Sequence, residues 1–122
     1  MAQKLTKESI DRFYDYDLFL ETRTLYMGSQ DVDDDGIETG TDYAMCEKVI
    51  KGLHILEHKS HEEIRIIMNN LGGDDYHGAA IVDSIRACKS PVTILFGGRQ
   101  CRWVPLYFRL PTTGSCLRVP RL

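Results

Sequence analysis

Residues 64–85, IRIIMNNLGGDDYHGAAIVDSI, constrain the fold more than any other stretch: an apolar strand runs into a Gly-Gly turn and then directly into a helix. Ile64, Ile66 and Met68 alternate with Arg65 and Ile67, the period of a strand with one buried face. Ile81, Ile85 and Cys88 fall on one stripe of the helix that follows. Two more apolar runs flank this unit, residues 24–28 (TLYMG) and residues 92–96 (VTILF), the second behind a Ser90-Pro91 breaker. Between the first run and the turn segment, Cys46, Val49, Ile50, Leu53 and Leu56 mark the buried face of another helix, which Thr41 is placed to cap. The acidic stretch 30–40 is expected to be a solvated loop. Strands alternating with helices of this length predict an α/β fold with a parallel sheet and right-handed crossovers. A glycine turn at a strand end leaves backbone N–H groups unpaired, which is what an enzyme needs to hold an oxyanion.

The 122 residues, 43% apolar, suit a single domain with a modest core. No run of 18 apolar residues occurs, and the first residues (MAQKLTKESIDRF) lack the apolar centre of a signal peptide. A cytoplasmic or organelle-matrix location with no membrane partner is therefore expected. Cys46, Cys88, Cys101 and Cys116 form no CxxC pair and no disulfide framework, so reduced thiols are expected. The net charge of −3 hides an asymmetry, since every Asp and Glu lies at or before Asp83 while residues 99–122 carry five Arg and no acid. Those arginines are interleaved with Pro, Gly and apolar residues without helical or alternating period. That argues against a nucleic-acid arm and for a disordered tail.

Other candidate chemistries are weak. His54, His58 and His61 have helical spacing, but no carboxylate or thiol aligns with them and His61 falls past the expected helix end, so a solvated helix end is favoured over a metal site. Asp31, Asp33 and Asp35 with Gly36 begin like a calcium loop, yet Asp42 stands where the bidentate Glu is required. Gly72-Gly73-Asp74 lacks the Lys-Ser/Thr of a phosphate loop, and two aspartates would repel the anion. No metal and no cofactor are expected.

Asn69, Gly72, Gly73, Gly78, Ala80, Ile81 and Asp83 fall on a pattern that resembles the Clp protease proteolytic subunit: strand, Asn-Ser-Pro-Gly-Gly, spacer, Gly, Ala-Ile, acid. Asn70 and Leu71 replace the Ser and Pro of that pattern. Arg23-Thr-Leu-Tyr-Met-Gly, Leu53-His-Ile-Leu and Ser90-Pro-Val-Thr-Ile extend the resemblance over residues 23–98. It implies a Clp/crotonase-like α/β fold of repeated strand-helix units, incomplete at the C-terminus. The parts would be an N-terminal extension (1–22), a partial peptidase domain (23–98) and a basic tail (99–122). It also implies that Gly72 and Gly73 form the oxyanion turn and that Met68 and Asn69 belong to a strand pairing with substrate. The implied partners are like subunits in a ring, unfolded polypeptide, and an AAA+ unfoldase that uses ATP. A crotonase-like acyl-CoA enzyme is the nearest rival, but it would need a longer chain and an acyl-CoA site, which the sequence lacks.

The family pattern continues after Phe96 as Gly, any, Ala, Met, Ser, Met, Gly, Ala, with Ser the nucleophile, whereas this chain reads Gly97-Gly98-Arg99-Gln100-Cys101-Arg102-Trp103-Val104-Pro105. Those residues can be encoded so that reading from the third base of the Gly97 codon gives Gly-Gln-Ala-Met-Ser-Met-Gly-Ala, with the Ser falling at Cys101-Arg102. The glycine after the second Met is forced by Trp103 and Val104. A single-nucleotide frameshift near residues 94–98 would account for the missing nucleophile and the change in composition; a genuine divergent C-terminus is the alternative. No His follows His77 and no acid follows Asp83, so a Ser-His-Asp triad in that chain order cannot be completed within these residues. Ser115 has no base after it and is a loop serine.

Overall fold

The computed structural model describes residues 5–96, Val104 and residues 116–119. Helix α1 (Lys7–Tyr16) begins at Thr6, whose side chain accepts from the Ser9 amide, and ends at Asp17 in the left-handed conformation. Strands β1 (Leu18–Phe19) and β2 (Thr24–Met27) form an antiparallel pair. Helix α2 (Tyr43–Lys59), β3 (Ile64–Met68), α3 (Asp75–Ala87) and β4 (Val92–Phe96) follow, and β5 (Cys116–Val119) completes a five-stranded sheet in the order β1-β2-β3-β4-β5. The three middle strands run parallel, with Leu25 opposite Ile66 and Ile66 opposite Ile94, as the alternation with helices predicts.

Both crossover helices cover one face of the sheet and pack against each other. Met45, Cys46, Val49, Leu53 and Leu56 of α2 and Ile81, Val82 and Ile85 of α3 meet Leu25, Met27, Ile64, Ile66, Met68 and Ile94, all of them buried. The alternation read for residues 64–68 holds: Ile64, Ile66 and Met68 are buried, while Arg65 is exposed and Ile67 half-buried.

Arg23 occupies the point where α2 turns into β3. It is buried and has a φ of 53°. Its guanidinium donates to the carbonyls of Leu56 (2.9 Å), Ser60 (3.0 Å), Glu62 (3.0 Å) and Glu63 (3.3 Å) and to Ser90 Oγ (3.3 Å). One cation thereby ties the last turn of α2 to the segment that leads into β3.

Three expectations are corrected. Asp42, and not Thr41, caps α2 by accepting from the Met45 amide at 3.0 Å, and Thr41 is instead buried beside the Gly-Gly turn. Residues 1–22 are more than an extension, because α1 and β1 belong to the fold: Leu18 enters the core and β1 pairs along β2. The tail is not disordered at residues 116–119. Leu117 and Val119 point inward and alternate with exposed Cys116 and Arg118, and the segment occupies the free edge of β4 with Ile94 opposite Leu117. Arg118 also reaches Glu63 (3.6 Å).

Candidate functional site

The turn after β3 is built from both sides. Gly72 (φ 97°) and Gly73 (φ 146°) lie in backbone regions that residues with a Cβ rarely enter. The Gly72 carbonyl accepts from the Thr41 amide at 2.6 Å, and the Thr41 carbonyl accepts from the Asp74 amide at 3.1 Å, so Thr41 and Gly73 form a parallel bridge. A Cβ on Gly73 would come within 2.7 Å of the Thr41 carbonyl oxygen, and one on Gly40 would collide with the carbonyl oxygen of Gly72. Glycine is needed at position 73 first by the approach of the segment before α2, and only then by any ligand.

Asn70 is completely buried under this turn. Its Oδ1 accepts from Gly72 N (2.7 Å) and from Thr41 Oγ1 (3.0 Å), and its Nδ2 donates to the Gly28 carbonyl (3.0 Å). One amide thus joins the ends of β2 and β3 and the start of α2. Gly72 is buried and its N–H is consumed inside, whereas Gly73 is exposed and its N–H meets no acceptor among the described residues.

Asp74 caps α3, accepting from the Tyr76 amide at 2.8 Å. Its other oxygen lies 3.7 Å from His77 Nε2, and the His77 ring meets Tyr43 edge-on at 6.5 Å between centroids. Two carboxylates, Asp74 and Asp75, therefore sit next to the outward N–H. They disfavour a free anion such as phosphate, while a polarised carbonyl oxygen carries far less charge into the same place.

The four residues read as site residues separate in space. Gly72 and Gly73 form the turn. Met68 is fully buried, and Asn69 spends its amide on the Met27 carbonyl (2.9 Å) and its side chain on Tyr26 Oη (2.9 Å). The strand ending in Met68 and Asn69, read as pairing with substrate, lies between β2 and β4 and pairs with both. Sequence reasoning missed Asn70, Thr41 and Gly40. The departure of Asn70 from the family turn was the available signal.

The other candidates fall elsewhere. His54, His58 and His61 line a cleft between the ends of α2 and α3 together with Glu57 and Cys88, and His61 pairs with Glu57 at 3.2 Å. Among the described residues no three His, Cys, Asp or Glu side chains converge as metal ligands. In the acidic loop, Asp33 Oδ1 accepts from the amides of Asp35 (2.9 Å) and Ile37 (3.0 Å), closing the turn on itself. No helix among the described residues is long and apolar enough to cross a membrane. The nucleophile expected at Cys101-Arg102, and Ser115, lie outside the described residues.

A mixed sheet whose central strand, parallel to both neighbours, ends in a glycine turn and feeds a helix defines an α/β protein of the repeated strand-helix type. The Clp protease family profile matches residues 9–102, and the chain belongs to that family. Among solved structures it is similar to ClpP1 from Listeria monocytogenes, with 29% identity and a TM-score of 0.54 over 65% of this chain and 41% of that one. It is also similar to the ClpP protease catalytic domain from Plasmodium falciparum, with 22% identity and a TM-score of 0.58 over 80% of this chain and 46% of that one. The second likeness bears on fold alone. The chain spans about two-fifths of the length of ClpP1. Comparison with curated proteins finds no match.

Proposed function

We propose that this chain is part of a subunit of an ATP-dependent Clp-type serine endopeptidase that degrades unfolded polypeptide, and that it is inactive as written. The observation carrying this reading is the outward, unpaired N–H of Gly73 at the end of the central strand, a ready donor for the oxygen of a tetrahedral intermediate. In a complete subunit a serine would attack the scissile carbonyl, a histidine would take its proton and an aspartate would orient that histidine. Like subunits in a ring and an AAA+ unfoldase, which would consume the ATP, are the partners of this reading. The peptidase itself would need no cofactor and would work in the cytoplasm or an organelle matrix.

A second reading, a non-catalytic relative that only occupies a place in the ring, is favoured by Cys101-Arg102 standing where the pattern it resembles has its serine. Hydrolysis of a fluorogenic peptide, with and without an active-site serine reagent, tests the proposed inactivity. No turnover is expected from these 122 residues, and turnover blocked by the reagent would overturn it. The frameshift is tested by the gene: an overlapping frame across codons 97–105 should encode Met-Ser-Met-Gly, and its absence would end that explanation.

A further inference from the structure

We propose that Asn70 is a positioning residue that decides which of the two glycine amides in the turn faces outward. Its purpose rests on the peptidase reading above, but its geometry does not. A trans peptide holds its C=O and the following N–H on opposite sides of one plane. The Gly72 carbonyl is fixed toward Thr41 by a 2.6 Å bond, so the Gly73 N–H must point away from Thr41. The Gly72 N–H belongs to the preceding peptide, which needs its own acceptor inside, because an unpaired buried N–H costs more than a hydrogen bond gains. Asn70 Oδ1 supplies that acceptor at 2.7 Å, and the side chain is anchored by Thr41 Oγ1 and the Gly28 carbonyl. Without Asn70, the peptide before Gly72 would be free to turn its N–H toward water, and Thr41, losing the bond to its hydroxyl, would hold the Gly72 carbonyl less firmly, so the Gly73 N–H would leave its present direction. Gly40 acts on the peptide after Gly72, since only a residue without Cβ leaves room for the Gly72 oxygen.

The shape of the Asn side chain suits this arrangement. It offers an acceptor to two donors and a donor to one carbonyl, and it is completely buried. A serine here would have one oxygen for all three contacts and a shorter reach. Asn70 therefore replaces, by one buried amide, whatever holds the turn in relatives that carry Ser and Pro at these positions.

Amide hydrogen exchange and chemical shifts of the full chain, read by NMR, test the assignment. In the wild-type chain the Gly72 amide should exchange at least about tenfold more slowly than that of Gly73. Asn70→Ala should erase that difference while Ile66 and Ile94 in the sheet keep their protection, and Gly40→Ala should do the same through a different contact. N-acetyl-trialanine amide, an uncharged probe that offers only peptide carbonyl oxygens, should shift the Gly73 N–H resonance in the wild type and not in either variant. Equal exchange of Gly72 and Gly73 in the wild type would overturn the proposal. So would an unchanged Gly73 response in a folded Asn70→Ala. If Asn70→Ala does not fold, the wild-type exchange pattern and Gly40→Ala decide. If Gly72 is protected in an Asn70-dependent way but the wild type does not respond to the peptide, the positioning role stands and the peptidase reading fails.

Discussion

Glu57 shows how much one side chain can carry in this molecule. Burial pushes its carboxyl upward, but the Ser90 hydroxyl, the Lys89 and Ser90 amides and His61 together outweigh that and hold it at about 2. A carboxyl depressed from 4.5 in this way contributes stability above the unfolded-state value. The contribution, on the order of 3 kcal/mol, should disappear as pH falls from about 4.5 to 2. Urea midpoints measured between pH 6 and pH 2 should drop through that window in the wild type and stay flatter in Glu57→Gln; parallel curves would contradict the assignment. Burial, reinforced by the Glu57 charge, raises the Cys88 thiol to about 11, and burial also raises that of Cys46. Iodoacetamide at neutral pH should therefore label exposed Cys116 well before Cys46 or Cys88, a ranking that peptide mass spectrometry reads directly. At this scale the sequence was legible for Gly72 and Gly73, because a glycine pair behind an apolar strand has few other uses. Asn70, Thr41 and Gly40 were not legible as a group. Their roles come from segments far apart in the chain meeting at the two peptides that flank Gly72, and no local spacing encodes that meeting.

Among the elements, the strands and helices between Thr24 and Phe96 followed from apolar period alone, since each buries a continuous face against the next. The edges did not. β1 is two residues long and β5 follows a stretch rich in Arg and Pro, so neither carries a periodic signal until a neighbour supplies the ladder. The position of β3 in the middle of the sheet was also hidden, because a strand's sequence does not say how many of its edges are occupied. Whether β5 contributes to folding can be measured. Leu117→Asp places a carboxylate on the inward side of β5, and a loss of about 2–4 kcal/mol in urea unfolding is expected. An unchanged midpoint would mean that residues 116–119 add nothing to the sheet. Arg23→Lys should cost about 2–3 kcal/mol, because an ammonium cannot reach the four carbonyls that the guanidinium spans.

As a whole molecule, the chain pairs a well-packed core with surfaces that a larger assembly would cover. The sheet carries its helices on one face, while Ile67 and Leu95 remain half-buried on the other. Marginal solubility and self-association are expected in gel filtration with light scattering. A monodisperse monomer with a sharp, reversible unfolding transition would count against that expectation. The central claim concerns the turn, and it is tested most directly by acyl transfer in protein whose reading frame has been restored to supply the serine, histidine and aspartate. Gly73→Ala removes or displaces the outward N–H, and the rate of peptide hydrolysis should fall roughly ten- to a thousandfold with folding intact by circular dichroism. Gly78→Ala, buried in the first turn of α3 and away from that N–H, should alter stability and leave the rate nearly unchanged. Equal loss of rate in both variants, with both folded, would show that the oxyanion donor lies elsewhere.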